Sequence, residues 1–321
     1  MSDPVAVVRR FNRSYTQRIG ALEDSFLGLG MPLGPARLLF EIGAAPATTQ
    51  ALRERLGLDS GYLSRLLRRL ENDGLIDVTP DPGDRRRRQV TLTEVGQERW
   101  REFELRSDDQ ARLIVDPLTQ RQRERLARAL SEADLLVRAA TVSFAPTDPA
   151  SPVARDVVGR YFTEIGRRFG FDAATGETEK DTKLLVPPTG VFVVAVSDGE
   201  PVACGGLHTL DALADGPIGG GPITNEPLSD GPLTDGPLAN GQRVGELKRM
   251  WVHDDWRGAG LGSRLLRHLE DQARALGHGA VRLDTNAALA EAISMYQRAG
   301  YRPIARYNDN QWATHFFEKR L

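Results

Sequence analysis

A single cysteine, Cys204, among 321 residues excludes an internal disulfide framework. The five histidines are scattered, and without His-x-x-x-His or Cys-x-x-Cys spacing they offer no metal site. No apolar run approaches the ~18 residues of a membrane span, and residues 1–10 lack the apolar core of a secretion signal. These absences predict a cytoplasmic protein with no metal and no membrane partner. A dominant charge is missing too, since 42 basic against 44 acidic residues leave a net charge of −2. Any case for nucleic acid must therefore come from local clustering. Lysine is absent from residues 1–145, where 23 arginines face 21 acidic residues; the remainder sets 19 basic against 23 acidic and holds Lys180, Lys183, Lys248 and Lys319. The length favours about two domains.

The most informative stretch is residues 245–262, GELKRMWVHDDWRGAGLG. An alternating strand over 246–252 runs through an acidic turn into Arg257-Gly258-Ala259-Gly260-Leu261-Gly262. A helix follows, with Leu261, Leu265, Leu266 and Leu269 at helical spacing. A glycine-rich turn opening a helix lets backbone N–H groups approach an anion, and the helix dipole favours negative charge there. A plain strand-to-helix turn is the alternative on these residues alone. No Gly-Lys-Ser/Thr follows, which excludes a P-loop, and Ser263 stands where a dinucleotide fingerprint needs glycine.

This loop resembles the acyl-CoA pyrophosphate loop of the GNAT N-acetyltransferases. Two further segments carry the resemblance: the strand Val281-Arg282-Leu283-Asp284-Thr285-Asn286, and Ala292-Ile293-Ser294-Met295-Tyr296, which continues to Gly300-Tyr301. The resemblance spans roughly residues 152–321 and implies an acetyl-CoA-dependent transferase acting on a small-molecule, peptide or protein amine. By it, Glu246 is the general base, or a carboxylate holding the strand splay, and Tyr296 protonates the thiolate. Backbone groups of Met250 and Val252 hold the pantetheine arm. Arg257, Gly258, Gly260, Gly262 and Ser263 hold the pyrophosphate, and Asn286 bonds the pantetheine or the acceptor. The C-terminal loop resembles a small-molecule branch of the family, with Tyr307, Asn308, Asp309 and Trp312 lining an acceptor pocket suited to a cationic amine. Cys204 lies in an apolar strand with no neighbouring histidine, which favours direct attack over a cysteine-borne intermediate.

The first half reads as helices. Residues 4–29 are predicted as one long helix and 34–43 as a second. A short helix capped by Thr48 or Thr49 is followed by the turn Gly57-Leu58-Asp59 and an amphipathic helix over 60–72. Leu63, Leu66, Leu67 and Leu70 form its apolar face; Ser60, Tyr62, Ser64, Arg65, Arg68 and Arg69 form the other. That is the helix-turn-helix arrangement, whose second helix enters the major groove. A hairpin follows with Arg85, Arg86, Arg87 and Arg88 at its tip, a cluster suited to a narrow minor groove. Asp84-Arg85-Arg86 with Leu92-Thr93-Glu94-Val95-Gly96 resembles the wing signature of the MarR winged-helix regulators. By that resemblance Arg86 is the minor-groove arginine, Asp84 orients it, and the protein is a homodimer on a double-stranded DNA operator.

The expected organisation is thus a mostly-α winged helix-turn-helix domain at 1–142, a proline-punctuated linker at 143–152, and an α/β GNAT domain with a central mixed sheet at 153–321. A five-residue repeat with Pro217, Pro222, Pro227, Pro232 and Pro237 interrupts the second domain at 215–241 and excludes a regular helix there. The functional expectation is a bifunctional regulator and N-acetyltransferase. Its alternatives are a regulator whose second domain only senses acetyl-CoA, and a transferase whose winged helix only dimerises.

Overall fold

The computed structural model describes residues 3–81, 83–172, 179–210 and 243–321. The 215–241 repeat lies outside the described residues. The chain divides into two compact units, Met1–Ala133 and Asp134–Leu321.

In the first unit, α1 (Pro4–Arg18) starts at Asp3, whose carboxylate accepts the Val5 and Ala6 N–H groups. The expected single helix over 4–29 does not form. Gly20, Leu27 and Gly28 all take positive φ, which breaks the helical path, and a 3₁₀ turn at Phe26–Gly28 follows instead. Next come α2 (Leu33–Ala44), β1 (Ala47–Thr48) and α3 (Thr49–Leu56), the last capped by Thr48 and ended by Gly57 at φ 61. Asp59 caps α4 (Ser60–Asn72) by accepting the Tyr62 N–H. The four leucines expected on its inner face are buried against Leu38, Leu39 and Leu52, each worth about 1.5–3 kcal/mol. The hairpin of β2 (Ile76–Pro80) and β3 (Arg88–Leu92) pairs Val78 with Val90, and β1 adds to the β3 edge. Two helices follow, α5 (Glu94–Val115) and α6 (Gln120–Thr141). Gly96 is required where α5 meets the hairpin, because a Cβ there would lie 1.9 Å from the Leu75 carbonyl oxygen.

The second unit is built on a seven-stranded mixed sheet. Its strands are β4 (Ser143–Pro146), β5 (Gly190–Ser197), β6 (Glu200–Leu210), β7 (Arg243–Val252), β8 (His278–Thr285), β9 (Arg302–Pro303) and β10 (His315–Arg320). Their spatial order is β4-β5-β6-β7-β8-β10-β9, with only β7 and β8 parallel. The helices are α7 (Pro152–Phe169), α8 (Glu179–Leu184), α9 (Leu261–Ala275) and α10 (Ala290–Arg298). One face of the sheet packs Phe192, Val194, Cys204 and Trp251 against Val157, Val158 and Phe162 of α7. The other packs Val193, Val281 and Leu283 against the four α9 leucines. The expected linker is corrected by β4: Ser143–Pro146 is an edge strand in register with Val193–Val196. The backbone there meets an open sheet edge, and strand hydrogen bonds replace a free tether.

Candidate functional site

The site forms where the two parallel strands part. Pairing of β7 with β8 ends at Leu247 opposite Leu283, leaving the rest of β7 without a partner on that side. On its other side β7 carries a bulge: Trp251 faces Cys204 and Lys248 faces Gly206, so Arg249 and Met250 share the place opposite Gly205. Arg249 takes φ 55 at this irregularity. A cavity of about 490 Å³ opens over the parted strands, bounded by α7, the start of α10 and residues 308–313.

Glu246 sits at the base of the cavity, 4% exposed. Its Oε1 accepts from Tyr307 Oη (2.8 Å), Asn308 Nδ2 (3.1 Å) and Lys248 Nζ (2.9 Å), and its Oε2 lies 2.9 Å from His208 Nε2. Lys248 also bridges to Asp284 Oδ1 at 3.0 Å. Burial pushes the Glu246 carboxyl up, but the hydrogen bond from His208 and the Lys248 charge outweigh it and hold the pKa at about 2. Burial opposes charge on His208, yet its bonds to Glu246 and the Thr209 carbonyl raise its pKa above the ordinary value. With its two oxygens engaged by four donors, Glu246 is held as a carboxylate, the state required by either expected role, general base or support of the strand splay.

Tyr296 is buried and lines the same cavity, edge-on to Tyr301 at 5.8 Å. Burial pushes its phenol well above the ordinary value, so it is a neutral proton donor. Cys204 is fully buried, its Sγ 3.5 Å from the Arg249 carbonyl, and burial pushes the thiol up to about 12. At that pKa it is no nucleophile.

At the glycine loop, Gly258 and Gly260 take φ 83 and 77, and α9 begins at Leu261 with no side-chain cap. Its first-turn N–H groups, with Gly262 and Ser263, fit an anion. Gly262 packs closely, a Cβ there lying 3.1 Å from Met295 Sδ. Arg257, expected to hold the pyrophosphate, is engaged by groups of the protein. Its guanidinium donates to the Val252 carbonyl and pairs with Glu164 (2.6 Å) and Asp254 (2.6 Å), so it fastens the turn to α7. Val252 is correspondingly engaged through its carbonyl, while Met250 lines the cavity. Asn286 also ties the backbone together, its Nδ2 donating to the Trp312 carbonyl and its Oδ1 accepting the Ala288 N–H. Of the expected acceptor residues, Asn308, Asp309 and Trp312 line the cavity, whereas Tyr307 holds Glu246. Sequence reading missed His208, Lys248, Arg249 and Asp284. Only Lys248 left a signal, two residues from Glu246 on an alternating strand.

In the first unit, Ser60, Tyr62, Ser64, Arg65, Arg68 and Arg69 are all exposed on α4. Asp84, Arg85 and Arg86 are exposed at the hairpin tip. Asp84 accepts the backbone N–H of Arg86 but pairs with the Arg87 guanidinium, 3.4 Å away. The expected side-chain orientation of Arg86 by Asp84 is thus replaced by a turn bond. In α1 no residue is buried, and Val5, Val8, Phe11 and Tyr15 are exposed.

Known proteins resemble each half separately. The model of the acetyltransferase (GNAT) family matches residues 159–301, and that of the MarR family matches residues 29–87. An IAA acetyltransferase of Azospirillum brasilense is 31% identical over 172 residues, covering 52% of this chain and 92% of that protein. Among solved structures, an acyl-CoA N-acyltransferase of Klebsiella pneumoniae covers 57% of this chain and 99% of its own, at 22% identity and TM-score 0.39. A mutant MarR of E. coli complexed with operator DNA covers 41% of this chain and 99% of its own, at 25% identity and TM-score 0.34.

Proposed function

For a chain that belongs to the GNAT acetyltransferase family and carries a MarR-family winged helix ahead of that domain, we propose a DNA-binding regulator that also transfers acetyl from acetyl-CoA to an amine. The observation that carries the enzymatic part is the uncapped start of α9, opened by Gly258 and Gly260, in a unit whose cavity holds Glu246 and Tyr296. Bound acetyl-CoA supplies the thioester, its pyrophosphate held by the α9 N-terminus and its pantetheine arm by the free edge of β7. The amine nitrogen attacks the thioester carbonyl directly in a ternary complex. A C–N bond forms, the C–S bond breaks, the departing sulfur takes the Tyr296 proton, and the amine's proton returns through water to restore the phenol. The amine's own proton goes to water, because both Glu246 oxygens already accept from protein donors. An amine screen read by coenzyme A release tests the transfer. A sensor without turnover is the second reading, favoured by the low pKa of Glu246, and any catalysed release excludes it.

The exposed face of α4 enters the major groove of a double-stranded operator, with Arg85 and Arg86 in the adjacent minor groove. The apolar, unburied face of α1 meets a second copy, giving a homodimer on a two-fold site. Binding to operator DNA that weakens with added salt is the expected result. A salt-independent or undetectable interaction would leave the winged helix with dimerisation alone.

A further inference from the structure

Lys248 and His208 line the cavity and are both held by carboxylates. Arg249 lines the same cavity and makes no ion pair among the described residues. It is 6% exposed, its Nη2 is buried without a hydrogen-bond partner, and its guanidinium carbon lies 5.5 Å from the centre of the Phe162 ring. Burying an unpaired charge is strongly unfavourable unless an anion joins it.

The backbone puts it there. Regular alternation along β7 would send Glu246 and Lys248 to one face and Leu247 and Arg249 to the other, into the α9 core. The bulge opposite Gly205 inserts one residue, and Arg249 at φ 55 turns to the Glu246 side. Trp251, the next residue but one, then joins the α7 core as well. A non-glycine residue in the left-handed region and a buried cation without a partner are two separate penalties at one position. Strain of this kind persists where a site requires it.

Resting on the transferase reading above, we propose that Arg249 receives the carboxylate of the acetyl acceptor. The acceptor class is then an α-amino acid with an aromatic side chain, and not a simple amine. Two parts of the cavity match such a molecule. The Arg249 fork matches a carboxylate in two parallel bonds, Phe169, Phe171 and Trp312 form an aromatic wall in which the last two rings stand 4.9 Å apart, and the amine is the group that the transferase reading requires. The pyrophosphate of acetyl-CoA is a second source of negative charge. It is assigned to the α9 N-terminus, which begins 12 residues beyond Arg249 in the chain.

The test uses the full chain with L-phenylalanine, phenethylamine (no carboxylate) and 3-phenylpropionate (no amine). Calorimetry in the presence of coenzyme A measures binding, and coenzyme A release measures transfer. In the wild type, kcat/KM for L-phenylalanine should exceed that for phenethylamine by roughly 10²-fold or more, the scale for losing one partner of a buried pair. Arg249→Met should bring that ratio towards one and abolish 3-phenylpropionate binding. Arg249→Lys should recover part of both, and an unchanged acetyl-CoA dissociation constant in each variant shows that the fold and the pyrophosphate site persist. Equal kcat/KM with and without the carboxylate overturns the inference and leaves the transferase reading standing. Arg249-dependent binding without acetyl transfer overturns the transferase reading and leaves the carboxylate site standing. Failure of all three compounds to bind overturns the assigned class. Loss of acetyl-CoA affinity in Arg249→Met alone moves the arginine to the phosphate source.

Discussion

Glu246→Gln keeps the side chain's shape and removes the charge that His208 and Lys248 face, which makes its titration informative. The folded carboxyl stands at about 2 against an ordinary 4.5. Its depressed pKa stabilises the folded state above pH 4.5, and that contribution is lost as pH falls from 4.5 towards 2. His208 has the opposite sign: its raised pKa contributes fully below 6.5 and is lost as pH rises through the folded value. Urea unfolding at a series of pH values should therefore show a shallower acid loss in Glu246→Gln than in the wild type, together with a lower plateau near neutrality. In catalysis, kcat/KM should rise with pH up to the amine's pKa with no limb belonging to Glu246, and the variant should lose less than the ~10²-fold of a working base. A limb between pH 6 and 8 that vanishes in the variant would restore Glu246 as the base. Gly260→Val probes a different contact. The space around Gly260 is open, but its φ of 77 is closed to a β-branched residue. Calorimetry should record loss of acetyl-CoA binding in this variant.

At the scale of the element, the hairpin and the helices of the first unit make separable contributions. Arg86 lies at the tip of the β2–β3 hairpin and Arg68 on the outer face of α4, and both are exposed. Arg86→Ala should weaken operator binding by about 1–3 kcal/mol while sparing non-specific DNA, and Arg68→Ala should weaken both and flatten the salt slope by roughly one. Fluorescence anisotropy across a salt series distinguishes them, and unchanged affinity in both variants removes the DNA-reading role. Helix α1 carries a different signal: a 15-residue helix with no buried residue has no reason to be stable alone. Phe11→Glu, at one of its exposed aromatic positions, should convert a dimer to a monomer in sedimentation. A dimer that persists would place the contact elsewhere.

For the whole molecule, the question is whether one chain couples two binding events. If acetyl-CoA changes operator affinity, linkage requires operator to change acetyl-CoA affinity by the same factor, typically 1–3 kcal/mol. Titrating acetyl-CoA with and without operator measures this, and identical dissociation constants would reduce the fusion to co-recruitment. Both family matches bear on features that are local in sequence, which is why they were legible there. The α4 leucines recur at helical spacing, Gly57 and Asp59 punctuate the turn before them, and Gly258 and Gly260 precede the leucine stripe of α9; each signal lies within a few residues of its consequence. The chemistry of the cavity has no such locality. Glu246 meets His208 from 38 positions away and Tyr307 from 61, so neither its low pKa nor its four donors leave a mark on a sequence pattern. The resemblance gave Arg257 a phosphate role, and α7, folded against the turn, adds the Glu164 carboxylate that engages it, which no local pattern announces. Regular alternation over 246–252 would aim Arg249 away from Glu246, and the register shift opposite Gly205 turns it into the cavity. Period and punctuation are set by chain neighbours, so the sequence by itself determined the amphipathic helices α4 and α9 and the glycine turn that opens α9. Protonation, ion pairing and the aim of a side chain depend on what crosses over from distant strands, and those the tertiary structure alone decided.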